Sequence, residues 1–282
     1  MIPSKFNYSR ATSVQDALSK LTDDAKILAG GHSLIPTMKL RLNQPSDLID
    51  ISRIEAIKKI TDEGASVLIG AGATHGEIAD SSLVKGACAM VCDGAAQIGD
   101  VQVRNKGTIG GSIAHADPAA DWPAIIIAAD GVIIVEGSGG SREIAAADFF
   151  TGFYETALAD NEIITGVRIP KQTAGSSSAY VKFAQPASRF AIVGCAVVKN
   201  LDSDGEIGNV KVSLTGVSEN AFRDHGVEDE LMGKPLTEEL IQQAADKAAE
   251  RVDVLSDHYA SEVYRKHLAK VYVKKALMSL ME

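Results

Sequence analysis

Two glycine pairs constrain this chain more than any other feature: Gly30-Gly31 within AGGHSL (29–34) and Gly110-Gly111 within TIGGSIAHAD (108–117), each in an apolar stretch and followed by Ser33 or Ser112. A residue without a Cβ lets the main chain approach a ligand closely, and successive N–H groups can then converge on a concavity that attracts anions. Lys26 to Leu28 reads as a strand entering the first pair, and Leu34 to Leu42 as a helix leaving it. The open amides and dipole of such a helix would reinforce an anion site. Taken singly, either pair is equally a tight turn. Together they lead us to expect two loops, far apart in the chain, closing on one diphosphate.

A rival glycine motif is Gly70-Ala71-Gly72-Ala73-Thr74-His75-Gly76, which follows a strand and precedes a helix as a dinucleotide fingerprint would. Its third glycine comes one place late, and no second parallel strand ending in an acid follows. It reads as a turn plus a cap, with Thr74 and Glu77 forming a capping box, and a Rossmann unit is not expected.

At 282 residues, two or more lobes are expected. Ser13 caps a first helix, and the strands Lys26–Leu28 and Asp47–Ser52 complete a small αβαβ lobe. Segments 57–60 and 66–70 form a hairpin opening a larger lobe, followed by a helix over 87–98, the glycine loop at 108–112, an apolar helix near 124–129 and a hairpin over 132–145. KQTAGSSS after Pro170 has linker composition. Strands over 179–184, 191–199 and 207–215 then precede two helices, from the Thr237 cap towards Leu255 and from about Ser261 to Met281. The fold class is therefore α+β, with units at 1–176 (lobes about 1–55 and 56–176) and 177–282.

A net charge of -9 argues against a nucleic-acid partner, because phosphate backbones require a basic face. An anionic ligand would have to be held by local dipoles. The longest apolar run, Ala124 to Val135, is interrupted by Asp130 and too short to span a bilayer, and the N-terminus has no apolar signal core, so a cytoplasmic location is expected. Cys88, Cys92 and Cys195 lack framework or metal-site spacing and read as packing residues. His115 near Asp117 reads as loop structure, since no nucleophile elbow accompanies it. Asp117 and Asp121 either cap the helix starting near Trp122 or accept hydrogen bonds from ribose hydroxyls. No catalytic side chain and no metal site are assigned.

MIPSKFNY, AGGHSLIPTMKLRL, DVQVRNKGTIGGSIAHADPAADWPA and GFYETAL, in that order, resemble the flavin-bearing medium subunits of the molybdenum hydroxylases, aerobic carbon monoxide dehydrogenases in particular. The likeness spans essentially the whole chain. It implies a two-lobed FAD-binding domain of the PCMH type, a C-terminal domain of antiparallel strands and helices, and noncovalent FAD between the lobes. It further implies that Ala29, Gly30, Gly31, His32, Ser33 and Leu34 wrap one side of the diphosphate and Thr108, Ile109, Gly110, Gly111 and Ser112 the other. Asp117 and Asp121 match positions at the sugar and linker, and Leu158 and Lys182 positions at the flavin ring, where Lys182 would favour an anionic reduced ring. Phe190 stands where the carbon monoxide enzymes resembled here carry a tyrosine over the ring. The implied partners are a large subunit with the molybdenum cofactor and a small subunit with [2Fe-2S] clusters, as a dimer of heterotrimers. Electrons would pass from the iron–sulfur subunit through FAD to an external acceptor. The alternatives are the FAD subunit of an aldehyde, nicotinate, nicotine or xanthine dehydrogenase, or a stand-alone flavin oxidoreductase.

Overall fold

The computed structural model describes residues 1–281. The chain begins with β1 (Asn7–Arg10), α1 (Val14–Lys20), β2 (Ala25–Leu28), α2 (Leu34–Lys39) and β3 (Asp47–Asp50). These strands form a parallel sheet in the order β1-β3-β2. The lobe is thus βαβαβ, with β1 added to the αβαβ reading. Ser13 caps α1 by accepting from the Asp16 amide, and Val14 and Ala17 are buried beside Ile49 and Ile51.

The middle of the chain supplies β4 (Ile60–Asp62), β5 (Ser66–Gly70), α3 (His75–Ala79), α4 (Ser82–Ala87), α5 (Ala89–Gln97), α6 (Val101–Arg104), α7 (Ile109–His115) and α8 (Asp121–Ala128). It continues with β6 (Val132–Gly137), β7 (Gly140–Ala145), α9 (Ala146–Phe149), β8 (Phe150–Gly152), β9 (Glu155–Thr156) and β10 (Glu162–Pro170). An antiparallel sheet runs β4-β5-β10-β6-β7, with β10 at its centre and a register shift between Ile164 and Gly166. The helix expected over 87–98 is divided: α4 ends at Cys88, whose extended backbone (φ -157°) starts α5. Every residue of α8 is buried and all but Asp121 are apolar, so the helix lies inside the protein, with Trp122, Ile125 and Ile126 wholly enclosed. The αL residue Ala116 (φ 48°) ends α7.

The last part comprises β11 (Ser176–Ala184), β12 (Ala191–Leu201), β13 (Ile207–Thr215), β14 (Phe222–Arg223), α10 (His225–Leu231), α11 (Glu238–Asp246) and α12 (Glu262–Met278). Its sheet is β11-β12-β13-β14. The Asp202–Gly205 turn closes β12 on β13, the Asp202 carboxylate accepting from the amides of Asp204 and Glu206. One face carries Val193, Cys195, Val197 and Leu214 against Leu268, Ala269, Val273 and Leu277 of α12. Tyr180 and Ala196 instead join the core around α8, tying this sheet to the middle of the molecule. The α+β class holds, and the GAGATHG segment is a turn leading to a helix capped by the reciprocal Thr74–Glu77 box.

Candidate cofactor site

A cavity of about 780 Å³ opens where the three parts of the fold meet. That volume suits a cofactor-sized ligand. Ala29 to Leu34, Thr108, Gly110, Gly111, Ser112, Asp117, Asp121, Leu158 and Phe190 all line it. Two expected residues do not. Ile109 is wholly buried in the core behind the second loop. Lys182 points instead to Asp121: its ammonium lies 2.9 Å and 3.0 Å from the two carboxylate oxygens and donates to the Arg189 carbonyl at 2.7 Å.

The two glycine loops are built differently. In the first, the chain leaves β2, turns at Gly31 (φ +73°) and enters α2 at Ser33, whose hydroxyl makes no capping bond. Among the described residues, the amides of Gly31, His32, Ser33 and Leu34 find no acceptor, so this loop brings a run of unpaired N–H groups to the wall of the cavity. A run of adjacent unpaired amides is a fit for an oxyanion. The second loop is a helix start rather than an open turn. Thr108 bridges to Thr74 and caps α7 by accepting from the Gly111 amide at 3.2 Å. The Ile109 amide donates to the Ala73 carbonyl and Gly110 to Ala71. Its first amides are therefore already paired, and what it offers the cavity is the edge of Gly111 and the Ser112 side chain.

The glycines serve the approach of the loops to their neighbours more than direct approach to a ligand. A Cβ on Gly30 would strike the Lys106 carbonyl and lie 2.9 Å from the Gly107 Cα, and one on Gly110 would lie 2.5 Å from the Ala71 Cβ. The first contact sets loop 29–34 directly against loop 106–112. Only at Gly111 does the missing Cβ look across the gap, 3.9 Å from the Ala29 Cβ.

Acidic groups occupy the cavity wall. Asp121 is the first residue of α8, but it does not cap the helix; its buried carboxylate accepts from Tyr180 and Lys182. Burial pushes this carboxyl up, against the opposing pull of Lys182 and Tyr180. Asp117 accepts from the Ala119 amide at 2.9 Å and from the Tyr154 hydroxyl at 3.0 Å. Burial and that carboxylate push the Tyr154 phenol up to about 12. His115, 4.0 Å from Asp117, stacks near Tyr154 with ring centroids 5.2 Å apart, so these three groups brace one another. Phe190, exposed at the rim, follows Arg189, whose φ of 62° makes a tight corner.

Sequence reasoning passed over Tyr154 and His75, both of which line the cavity. His75 belongs to the glycine segment set aside as a turn and a cap. Its partner, Trp122, lies 47 positions away, and no local pattern signals such a pair.

The chain matches two family models: the FAD binding domain in molybdopterin dehydrogenase over residues 4–172 and the CO dehydrogenase flavoprotein C-terminal domain over 178–280. It is 40% identical to the carbon monoxide dehydrogenase medium chain of Hydrogenophaga pseudoflava, covering 98% of this chain and 97% of that one. Identity to the glyceraldehyde dehydrogenase medium chain of Sulfolobus acidocaldarius is 36%, covering 98% of each. A solved carbon monoxide dehydrogenase structure from Hydrogenophaga pseudoflava, lacking the Mo-pyranopterin moiety, superposes with a TM-score of 0.95 at 41% identity, over 99% of this chain and 98% of that one. Quinoline 2-oxidoreductase from Pseudomonas putida 86 gives 0.92 at 29% identity, again over 99% and 98%.

Proposed function

The chain belongs to the FAD-binding family of the molybdopterin dehydrogenases, and from that premise we propose that it is the FAD-bearing, electron-transferring subunit of a molybdenum hydroxylase of the carbon monoxide dehydrogenase type. The single observation that carries the site assignment is the run of unpaired amides at Gly31 to Leu34 in the wall of a cavity large enough for a dinucleotide. When bound, FAD supplies the redox chemistry, accepting electrons from an iron–sulfur donor and releasing them to an external acceptor.

In this reading the chain's own residues bind and orient. The free amides of loop 29–34 and the hydroxyls of Ser33 and Ser112 hold the diphosphate, with Gly111 leaving room beside them. Asp117, held by Tyr154, takes ribose or linker hydroxyls, and Asp121 presents what remains of its acceptor capacity after Tyr180 and Lys182. Leu158 and Phe190 give the ring apolar surface. Phe190 has no hydroxyl, so it acts at the rim by contact alone. Lys182 acts through Asp121 and the Arg189 carbonyl rather than as a free positive charge beside the ring.

Selection of the molecule oxidised belongs to a partner chain with the molybdenum cofactor, and electrons arrive through a second partner with [2Fe-2S] clusters. The proposal extends to a dimer of heterotrimers in the cytoplasm; no helix among the described residues is long and apolar enough to cross a membrane. It also includes the division into a FAD-binding unit at 1–176 and a C-terminal unit at 177–282, supported by the bounds of the two family matches. A FAD subunit serving an aldehyde or N-heterocycle dehydrogenase is the second reading, favoured by the similarity to the glyceraldehyde dehydrogenase medium chain.

Purification from the native host tests the assignment. Two further chains, molybdenum and iron should co-elute with this one, and the yellow colour should leave it on denaturation. The full-length chain alone should take up FAD and be reduced by dithionite, yet oxidise neither carbon monoxide nor an aldehyde. Turnover of either by the lone chain would overturn the subunit reading.

A further inference from the structure

His75 is almost wholly enclosed, 5% exposed, yet it lines the cavity alongside Gly107. Its backbone amide donates to the Gly107 carbonyl at 3.0 Å, which fixes the start of α3 against the second loop. On the ring, Nδ1 accepts from the Trp122 indole N–H at 3.1 Å. A neutral imidazole whose Nδ1 accepts must carry its proton on Nε2. That Nε2–H has no acceptor among the described residues, and it sits so close to Gly107 that a Cβ there would lie 2.7 Å away. Two basic residues face the ring: His32, on the opposite loop, and Arg104, which is anchored to the carbonyls of Ile98 and Gly99. Burial and these two neighbours pull the His75 pKa down to about 4, so the ring is neutral at ordinary pH and its tautomer is set by Trp122.

A donor with a fixed tautomer and no protein partner, on the wall of the cavity beside the unpaired amides of loop 29–34, is placed to meet an anion there. Resting on the reading that the cavity holds a diphosphate-bearing cofactor, we propose that His75 donates its Nε2–H to a phosphate oxygen of that cofactor, making it a binding residue outside both glycine loops. Gly107 is then required as glycine because any side chain would fill the space at Nε2.

The full-length apo chain tests this with FAD, ADP and inorganic pyrophosphate as probes. His75→Phe removes the donor and should weaken FAD and ADP binding by roughly tenfold or more, the range for a hydrogen bond to a charged group. His75→Gln retains an N–H of similar reach and should recover most of the affinity. Nitrogen-15 imidazole spectra of the wild type provide a readout that a merely structural residue would not move. Nε2 should be the protonated nitrogen before addition, and its proton should shift downfield with pyrophosphate. Wild-type affinity in a folded His75→Phe chain, or an Nε2–H resonance unmoved by saturating ADP, would overturn the role of His75 while leaving FAD binding intact. Failure of the wild type to bind FAD would overturn the site reading itself, and this inference with it.

Discussion

Lys182 places its ammonium 2.9 Å from the carboxylate of Asp121, with both side chains no more than 5% exposed, so the positive charge expected beside the flavin ring is matched inside the protein. Removing one partner of a buried pair leaves the other uncompensated, typically at a cost of about 3–5 kcal/mol. Lys182→Met should therefore lower the melting temperature by roughly 10 °C. Adding Asp121→Asn should restore part of the loss, because no charge is then stranded. A single variant as stable as wild type would mean that the pair is not formed in solution.

Gly110 and Gly111 are neighbours with opposite surroundings, and alanine should separate them. At Gly110 a Cβ runs into Ala71, 2.5 Å from its Cβ and 2.9 Å from its carbonyl oxygen, which predicts overpacking worth about 1–3 kcal/mol. At Gly111 the nearest atoms are Thr108 Oγ1 at 2.9 Å and then Ala29 Cβ at 3.9 Å, so the new methyl group enters the gap between the loops. Gly111→Ala should cost less stability than Gly110→Ala, since its one overlap is with the Thr108 hydroxyl that caps α7 and alanine is the better helix former, and should raise the Kd for FAD several-fold. Gly110→Ala should lower the melting temperature first. Flavin fluorescence quenching and thermal melts on both chains check the contrast.

These contrasts mark where the sequence was legible. Local chemistry was: the Ser13 cap, the Thr74–Glu77 box and the Asp202–Gly205 turn are each complete within a few residues, and each forms as expected. β1 was missed because Asn7 to Arg10 is polar and largely exposed, and it becomes a strand only by pairing with Asp47–Asp50, forty residues on. The centre of the second sheet, β10, was not read as a strand: the register shift between Ile164 and Gly166 breaks its alternation, which survives only where Val167 and Ile169 face inward and Arg168 outward to Glu63 and Glu143. α7 was read as a loop because paired glycines argue against a helix, and Thr108, Ala71 and Ala73 overrule them by taking its first amides. In the site, both loops could be found from their glycines. The reason for those glycines could not, since Lys106 and Ala71 reach them only through the fold.

All three cysteines are buried, and burial pushes each thiol up, Cys92 to about 11. The Cys92 thiol donates to the Ile78 carbonyl at 3.2 Å, filling the packing role expected of it. Thiols held this far from ionisation react slowly. A disulfide reagent at pH 8 should therefore label fewer than one cysteine per folded chain within minutes, and all three in guanidinium. Prompt labelling of the native chain would contradict their enclosure.

His75 should impose an acid limit on stability in the absence of ligand. Its pKa falls from the ordinary 6.5 to about 4, so the native ring holds a proton less tightly than the unfolded chain does. Above pH 6.5 both states are neutral and the native state keeps its full stability. As pH drops towards 4, the unfolded chain gains a proton that the folded one refuses, and stability falls by up to 1.36 kcal/mol per pH unit. The total is about 3 kcal/mol, levelling off below pH 4, where both states are charged. Carboxylates such as Asp16 and Asp62, whose pKa values are lowered by their lysine partners, also weaken the fold in acid, so the His75 share must be isolated by difference. Urea midpoints of wild type and His75→Gln, taken from pH 8 to pH 4, should differ by a constant amount down to about pH 7. Below that the wild type should lose ground to the variant through the whole window. A difference that stays constant to pH 4 would show that His75 titrates normally and is not enclosed as described.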